Sequence, residues 1–218
     1  MMQESRPRRP GRPPGSAGDE LLEIARREFL AQGYAGTTMA AIAGAARISK
    51  NSLYREYASK EVLYAAVVSD WVDRGRDAMR PHTEALLAAT DFEGELGQLA
   101  RTIQAAVLSP PVRQMRTLVA AEATRFPEIA TDYVTRSWER NIQTLADTFA
   151  ILAERGTITV EAPHVAAEQF TWLTVAAPLN RMTLDAGSHP YGQDQLDAIA
   201  DEAVATFLAR FALPRVAS

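Results

Sequence analysis

The sequence predicts an all-α protein: an N-terminal three-helix helix-turn-helix domain followed by a larger helical domain, about nine helices in total. Three observations predict it. Apolar residues recur at the 3.6-residue helical period from Leu21 onward, prolines and glycines separate stretches of helical length, and almost no run alternates as a strand would. With 47% of its 218 residues apolar, the chain can bury a substantial core.

Residues 1–18 read as a basic arm: six prolines and glycines fall between Pro7 and Gly15, and no apolar period offsets the entropy of ordering. Arg6, Arg8, Arg9 and Arg12 charge it. The run Pro10-Gly11-Arg12-Pro13 resembles the core of a minor-groove AT-hook, so a DNA-reading arm and a solubilising tail both fit.

Helix 1 starts at Ser16, which with Asp19 has capping-box spacing. It carries Leu21, Leu22, Ala25 and Phe29 on one face and stops at Gly33. Thr38 caps a short second helix bearing Met39, Ile42 and Ala43, and Ser49 caps a third bearing Leu53 and Tyr57. Ala46, Arg47 and Ile48 separate the two. Beyond Ser59, helices are expected at residues 60–80, 92–108, 111–126, 127–155, 162–186 and 193–211, broken at Pro81, Pro110, Pro127, Gly156 and Gly187. The run Thr157 to Val160 has strand propensity but no partner run, and reads as a loop. The expected domains are an arm at 1–18, a helix-turn-helix domain at 19–65 and a helical ligand-binding and dimerisation domain at 66–213.

Two short helices joined by a tight turn and braced by a longer one have the geometry that delivers a helix to the DNA major groove. Charge is distributed accordingly. Residues 1–60 hold ten Lys and Arg against six Asp and Glu, a net of +4, whereas the remainder holds 13 against 21, a net of −8. One end can face phosphate and the other cannot. The third helix exposes Lys50, Asn51 and Arg55, donors suited to base edges: lysine or arginine to guanine, asparagine to adenine.

The string GYAGTTMAAIAGAARISKNSLYREYASKEVL, Gly33 to Leu63, resembles the DNA-binding domain of the TetR family almost position by position. The resemblance implies that Thr38, Ser52, Tyr54 and Lys60 hold phosphates and set register; for Ser52 and Tyr54 the alternative is ordinary helix surface. Two positions depart from the family pattern. Arg47 stands where the turn usually carries glycine, a substitution costing ~1 kcal/mol if the backbone conformation is kept; its charge can compensate by reaching a phosphate. Glu56 can accept from cytosine N4, pair with an arginine, or point away from DNA.

Ala120 to Ile129, the long helix after it, the Gly156 turn and Ala166 to Phe170 are similar to the C-terminal domain of AefR-like members. A ligand cavity, expected by family analogy, would lie among the middle helices, lined by Trp71, Met115, Trp138, Ile142 and Phe149, with plain core the simpler reading of each. Arg116, Glu122, Arg140 and Asn141 are candidates to orient a ligand, with surface exposure the simpler reading. The last two helices have the character of an oligomer interface. Leu196, Ile199, Ala200, Ala203, Phe207 and Phe211 form one stripe, and Val165, Phe170, Trp172, Leu173, Val175 and Leu179 surround the helix before it, which Pro178 should kink. Phe170, Leu173, Leu196, Ile199, Ala203 and Phe207 are therefore expected in a homodimeric four-helix bundle; a crowded monomeric core is the alternative.

The absence of cysteine removes disulfides, thiol nucleophiles and Cys-based zinc sites. His82, His164 and His189 are scattered, no Gly-rich phosphate loop occurs, and no catalytic constellation emerges, so neither enzyme activity, metal nor cofactor is expected. The N-terminus lacks the apolar core of a signal peptide, and no segment approaches the ~18 consecutive apolar residues a membrane span needs. The reading is a cytoplasmic transcriptional regulator, most simply a repressor that binds palindromic operator DNA as a dimer and is released by a small-molecule effector. The rivals are a helical ligand-binding or scaffolding protein without sequence-specific DNA binding, and a small-molecule enzyme on a helical bundle.

Overall fold

The computed structural model describes residues 15–185 and 188–213, and the basic arm expected at 1–18 lies almost entirely outside them. Two compact units form, one up to Asp70 and one from Trp71 onward. The described residues contain eleven α-helices and one π-helical turn.

In the first unit, α1 (Gly15–Gly36), α2 (Met39–Ala45) and α3 (Lys50–Glu56) precede α4 (Lys60–Arg74), whose last residues belong to the second unit. The core expected from helical spacing is present: Leu21, Ala25, Phe29, Met39, Ile42, Ala43 and Leu53 are buried. Phe29, Tyr34 and Tyr64 pack as an aromatic triad with ring centroids 5.9, 5.4 and 5.2 Å apart. Gly33 interrupts α1 with φ 68° and ψ 172°, a conformation open essentially only to glycine, and redirects the chain toward Thr37. Buried Thr37 fastens that bend, donating its hydroxyl to the carbonyls of Gly33 at 2.7 Å and Glu28 at 3.1 Å.

The second unit continues with α5 (Arg80–Ala88), α6 (Phe92–Val107), α7 (Pro110–Glu122) and α8 (Pro127–Tyr133). The π-helical turn (Val134–Glu139), α9 (Arg140–Glu154), α10 (Pro163–Leu184) and α11 (Gln193–Phe211) complete it. α8, the π turn and α9 follow without interruption as the long helix expected from 127 to 155. Counted as one, they bring the total to ten, and the extra helix is α5. Pro81 does not break a helix but sits in the first turn of α5, where its missing N–H has no intrahelical partner to lose. The preceding helix instead ends at Arg74. Pro110, Pro127 and Pro163 likewise open α7, α8 and α10.

The core of this unit centres on Phe149, Phe170 and Phe207, with centroids 4.8 to 6.1 Å apart, and Phe211 stacks beyond at 4.8 Å. Pro178 lies inside α10 and has no N–H to offer the carbonyl of Thr174 four residues earlier. Buried Gln104 on α6 supplies the missing donor, its Nε2 reaching Thr174 O at 3.1 Å and Leu196 O at 2.9 Å. One amide thus ties α6, α10 and α11 together. The run Thr157 to Val160 does find a partner, contrary to its reading as an unpaired loop. Ile158 bridges to Ala212, and Thr159 N donates to Phe211 O at 2.8 Å, fastening the end of α11.

Candidate nucleic-acid interface and ligand cleft

α3 is held by its cap and its buried side. The Ser49 hydroxyl accepts the Ser52 N–H at 3.0 Å and lies 2.9 Å from the Ser52 hydroxyl. Leu53, fully buried, anchors the opposite face. Lys50 and Asn51, three to five positions before Tyr54 and Arg55, share the exposed side of the helix with them, and Tyr54 is 49% accessible. Among the described residues neither Lys50, Arg55 nor Arg47 pairs with a carboxylate. Glu56 is exposed and forms no ion pair among them either. Half-buried Tyr57 falls just past the helix, and burial, followed by the nearby charges of Glu56 and Asp70, raises its phenol above the usual range.

Thr38 caps α2, its Oγ1 accepting the Ala41 N–H at 3.1 Å, which leaves its hydroxyl proton able to point outward. Arg47 occupies the left-handed region at φ 55°. The flanking bonds identify the position. Ile48 N donates to Ala43 O at 3.0 Å and Arg47 N to Gly44 O at 3.1 Å, the paired bonds of a Schellman turn. The same pair closes α9, through Thr157 to Leu152 and Gly156 to Ala153, and there glycine fills the left-handed site at φ 69°. Arg47→Gly is accordingly expected to stabilise the domain by about 1 kcal/mol, measured as a higher denaturation midpoint. A lower midpoint would mean that the arginine side chain contributes more than its backbone costs.

Lys60 differs from its sequence assignment. Its ammonium donates to Tyr34 O at 2.7 Å and Thr37 O at 2.8 Å and lies 4.3 Å from the Tyr34 ring centroid. It is half-buried and clamps the carbonyls exposed by the Gly33 bend, an intramolecular task that competes with a phosphate.

In the second unit a cleft of about 480 Å³ opens among α4, α6, α7, the π turn and α10. Trp71 and Trp138 line it. Met115, Ile142 and Phe149 do not: they are at most 3% exposed in the core, because their helices turn those faces inward. Arg116 and Asn141 do line the cleft, half-buried, whereas Glu122 and Arg140 do not. Sequence reasoning passed over Tyr133 and Ser137 as lining residues and placed Trp172 only at an interface; the π turn that follows Tyr133 and carries Ser137 has no local signal. Arg136 joins the turn to the end of α4, bonding Asp132 at 2.8 Å and Asp73 at 2.6 Å. Hydrogen bonds from Arg76 and Arg136 hold the Asp73 carboxyl below the usual range.

The residues expected at a dimer interface separate into two groups. Phe170, Ala203 and Phe207 lie in the protomer's own core, at most 2% exposed, since α10 and α11 turn them toward α6 and α9. Leu173 is 44% exposed, beside exposed Val165 and Trp172, and Leu196 and Ile199 are half-buried.

A capped helix presenting a basic and polar face after a tight turn, followed by an all-helical unit with an apolar cleft, defines a helix-turn-helix transcriptional regulator. Residues 21–67 match the family described as bacterial regulatory proteins, tetR family, and residues 94–213 match the C-terminal domain of the AefR-like transcriptional repressors. The chain belongs to the TetR family of transcriptional regulators, with an AefR-like C-terminal domain; it is a regulator and not an enzyme.

A protein from Mesorhizobium loti described as a TetR-family transcriptional regulator is 30% identical in sequence. The match covers 91% of this chain and 98% of that one, with a TM-score of 0.85. The flavonoid-responsive regulator FrrA shares the fold at 24% identity and a TM-score of 0.70, over 93% of this chain and 100% of its own. The HTH-type transcriptional repressor KstR2 of Mycolicibacterium smegmatis is 40% identical over 60 residues, which make up 28% of this chain and 29% of that protein. Among the described residues no helix is long and apolar enough to cross a membrane.

Proposed function

We propose that the protein represses transcription in the cytoplasm by binding a palindromic operator as a homodimer, and that a small molecule in the cleft releases it. The exposed face of α3 carries this reading. Lys50, Asn51 and Arg55 are the base readers, while Thr38, Ser52, Tyr54 and Arg47 position the helix on phosphates. Lys60 then acts by holding the domain together.

Dimerisation is supported by the exposed apolar residues Val165, Trp172 and Leu173 on α10 and the half-buried Leu196 and Ile199 on α11. Trp172 lines both the cleft and a groove between α10 and α11. An occupant of the cleft would therefore touch a residue of the pairing face. α4 offers a covalent route in the other direction, with Lys60 at its start and Trp71 in the cleft. A ligand that binds one dimer geometry more tightly shifts the population toward it. FrrA, named as flavonoid-responsive, is a regulator of this fold whose name carries a small-molecule response.

Selection of sites from random DNA with the purified protein should return inverted repeats whose half-sites lie about one helical turn, ~34 to 36 Å, or its multiples apart. On such a site Asn51→Ala is expected to lose ~1 to 3 kcal/mol of discrimination at one base pair, while Tyr54→Phe weakens all sequences alike. Equal losses for Asn51→Ala on selected and random DNA would remove Asn51 from base reading. Failure to enrich any site would favour a ligand-binding protein without sequence-specific recognition.

A further inference from the structure

We infer that the cleft takes a flat aromatic molecule bearing an anionic group, with Arg116 as the partner of the anion. This rests on the reading of the cleft as the effector site and specifies its ligand.

The chain has three tryptophans, and all three line this one cleft. Trp138 and Trp172 form a continuous wall, their ring centroids 4.7 Å apart at a 38° tilt, with Trp71 on α4 and Tyr133 beside them. The remaining apolar lining is valine and alanine; no leucine, isoleucine or methionine, the side chains that adapt to a flexible alkyl chain, contributes. Rigid ring faces reward a rigid flat partner. A cleft of about 480 Å³ falls within the ordinary range for small-molecule sites and holds two or three fused rings.

The charge in the cleft has one sign. Arg74 and Arg116 line it, and no aspartate or glutamate does. The nearby carboxylate of Asp73 is committed to Arg76 and Arg136 at 2.5 and 2.6 Å. Among the described residues Arg116 has no carboxylate partner; its guanidinium lies 5.6 Å from the Trp138 ring centroid, half-buried. A half-buried guanidinium left without a counter-charge in a low-dielectric recess favours an anion strongly. Tyr133 adds a neutral donor: burial raises its phenol, outweighing the opposing effect of Arg116, so the hydroxyl stays protonated. Asn141 supplies a further polar group to the lining.

Calorimetric titration of the full-length protein with 2-naphthoate, its neutral counterpart 2-naphthamide, and dodecanoate tests this. Naphthoate is expected to bind at least tenfold tighter than the amide and tighter than dodecanoate. Arg116→Gln should abolish the acid-over-amide preference, and Arg116→Lys should restore part of it. Trp138→Leu should weaken both naphthalenes together. Circular dichroism establishes that each variant is folded. Equal binding of acid and amide, an acid preference that survives Arg116→Gln, tighter binding of dodecanoate, or no binding of either naphthalene would each overturn the inference. Anisotropy of a labelled operator fragment, measured separately, distinguishes the two levels. Naphthoate that binds with the expected preference but leaves the DNA complex intact would refute effector release and leave the ligand class standing.

Discussion

Phe207→Ala is expected to destabilise the larger unit by about 3 to 5 kcal/mol, the range for truncating a buried aromatic. The ring is 1% exposed and touches Phe149, Phe170 and Phe211, so alanine leaves a void bounded by three aromatic rings on three helices. These neighbours are packed against one another and can close the void only in part. Leu173→Asp provides the contrast. That leucine is already 44% exposed, so the protomer should keep its denaturation midpoint at low protein concentration while sedimentation shows loss of the proposed dimer. Both variants lie on the two helices expected to form the interface, yet they act on different states. A dimer lost with unchanged protomer stability in Phe207→Ala would show that the ring belongs to the interface after all.

Lys60→Met is expected to cost the DNA-binding domain about 1.5 to 3 kcal/mol, the range for hydrogen bonds to a charged group. The methionine keeps most of the stem but leaves the carbonyls of Tyr34 and Thr37 without their donor and removes the cation from the Tyr34 ring. Those carbonyls sit where Gly33 has broken the helical ladder, so no backbone N–H takes over from the ammonium. Thermal unfolding should show the loss in the absence of DNA. A phosphate-binding lysine behaves otherwise: its removal weakens DNA binding and flattens the salt dependence while stability is unchanged. That pattern would return Lys60 to the phosphate contacts.

Much of the first unit was legible in the sequence because its signals are local. Ser49 and Thr38 cap because a hydroxyl there reaches backbone N–H groups within three residues, and Leu53 is buried because it faces away from Lys50 and Asn51 on one short helix. The αL conformation at Arg47 could likewise be anticipated from turn length and family pattern. Lys60 could not. Its partners are 23 and 26 residues away, and a lysine opening a helix looks the same whether it reaches for phosphate or for a carbonyl.

In the larger unit, spacing determined that α9, α10 and α11 are helices with apolar faces, and that α10 has more apolar residues than one core can take. Spacing gives helical phase but not what stands opposite. Packing alone decided that Phe170 and Phe207 meet each other while Leu173 and Trp172 stay outside, that Gln104 completes the proline-broken ladder at Thr174, and that three tryptophans far apart in the chain line one cleft. Helical period and caps follow from interactions within about one turn, so the sequence by itself determined most of the elements and the exposed face of α3. Burial, cavity and pairing depend on contacts between residues tens of positions apart, and those exist only once the helices have packed.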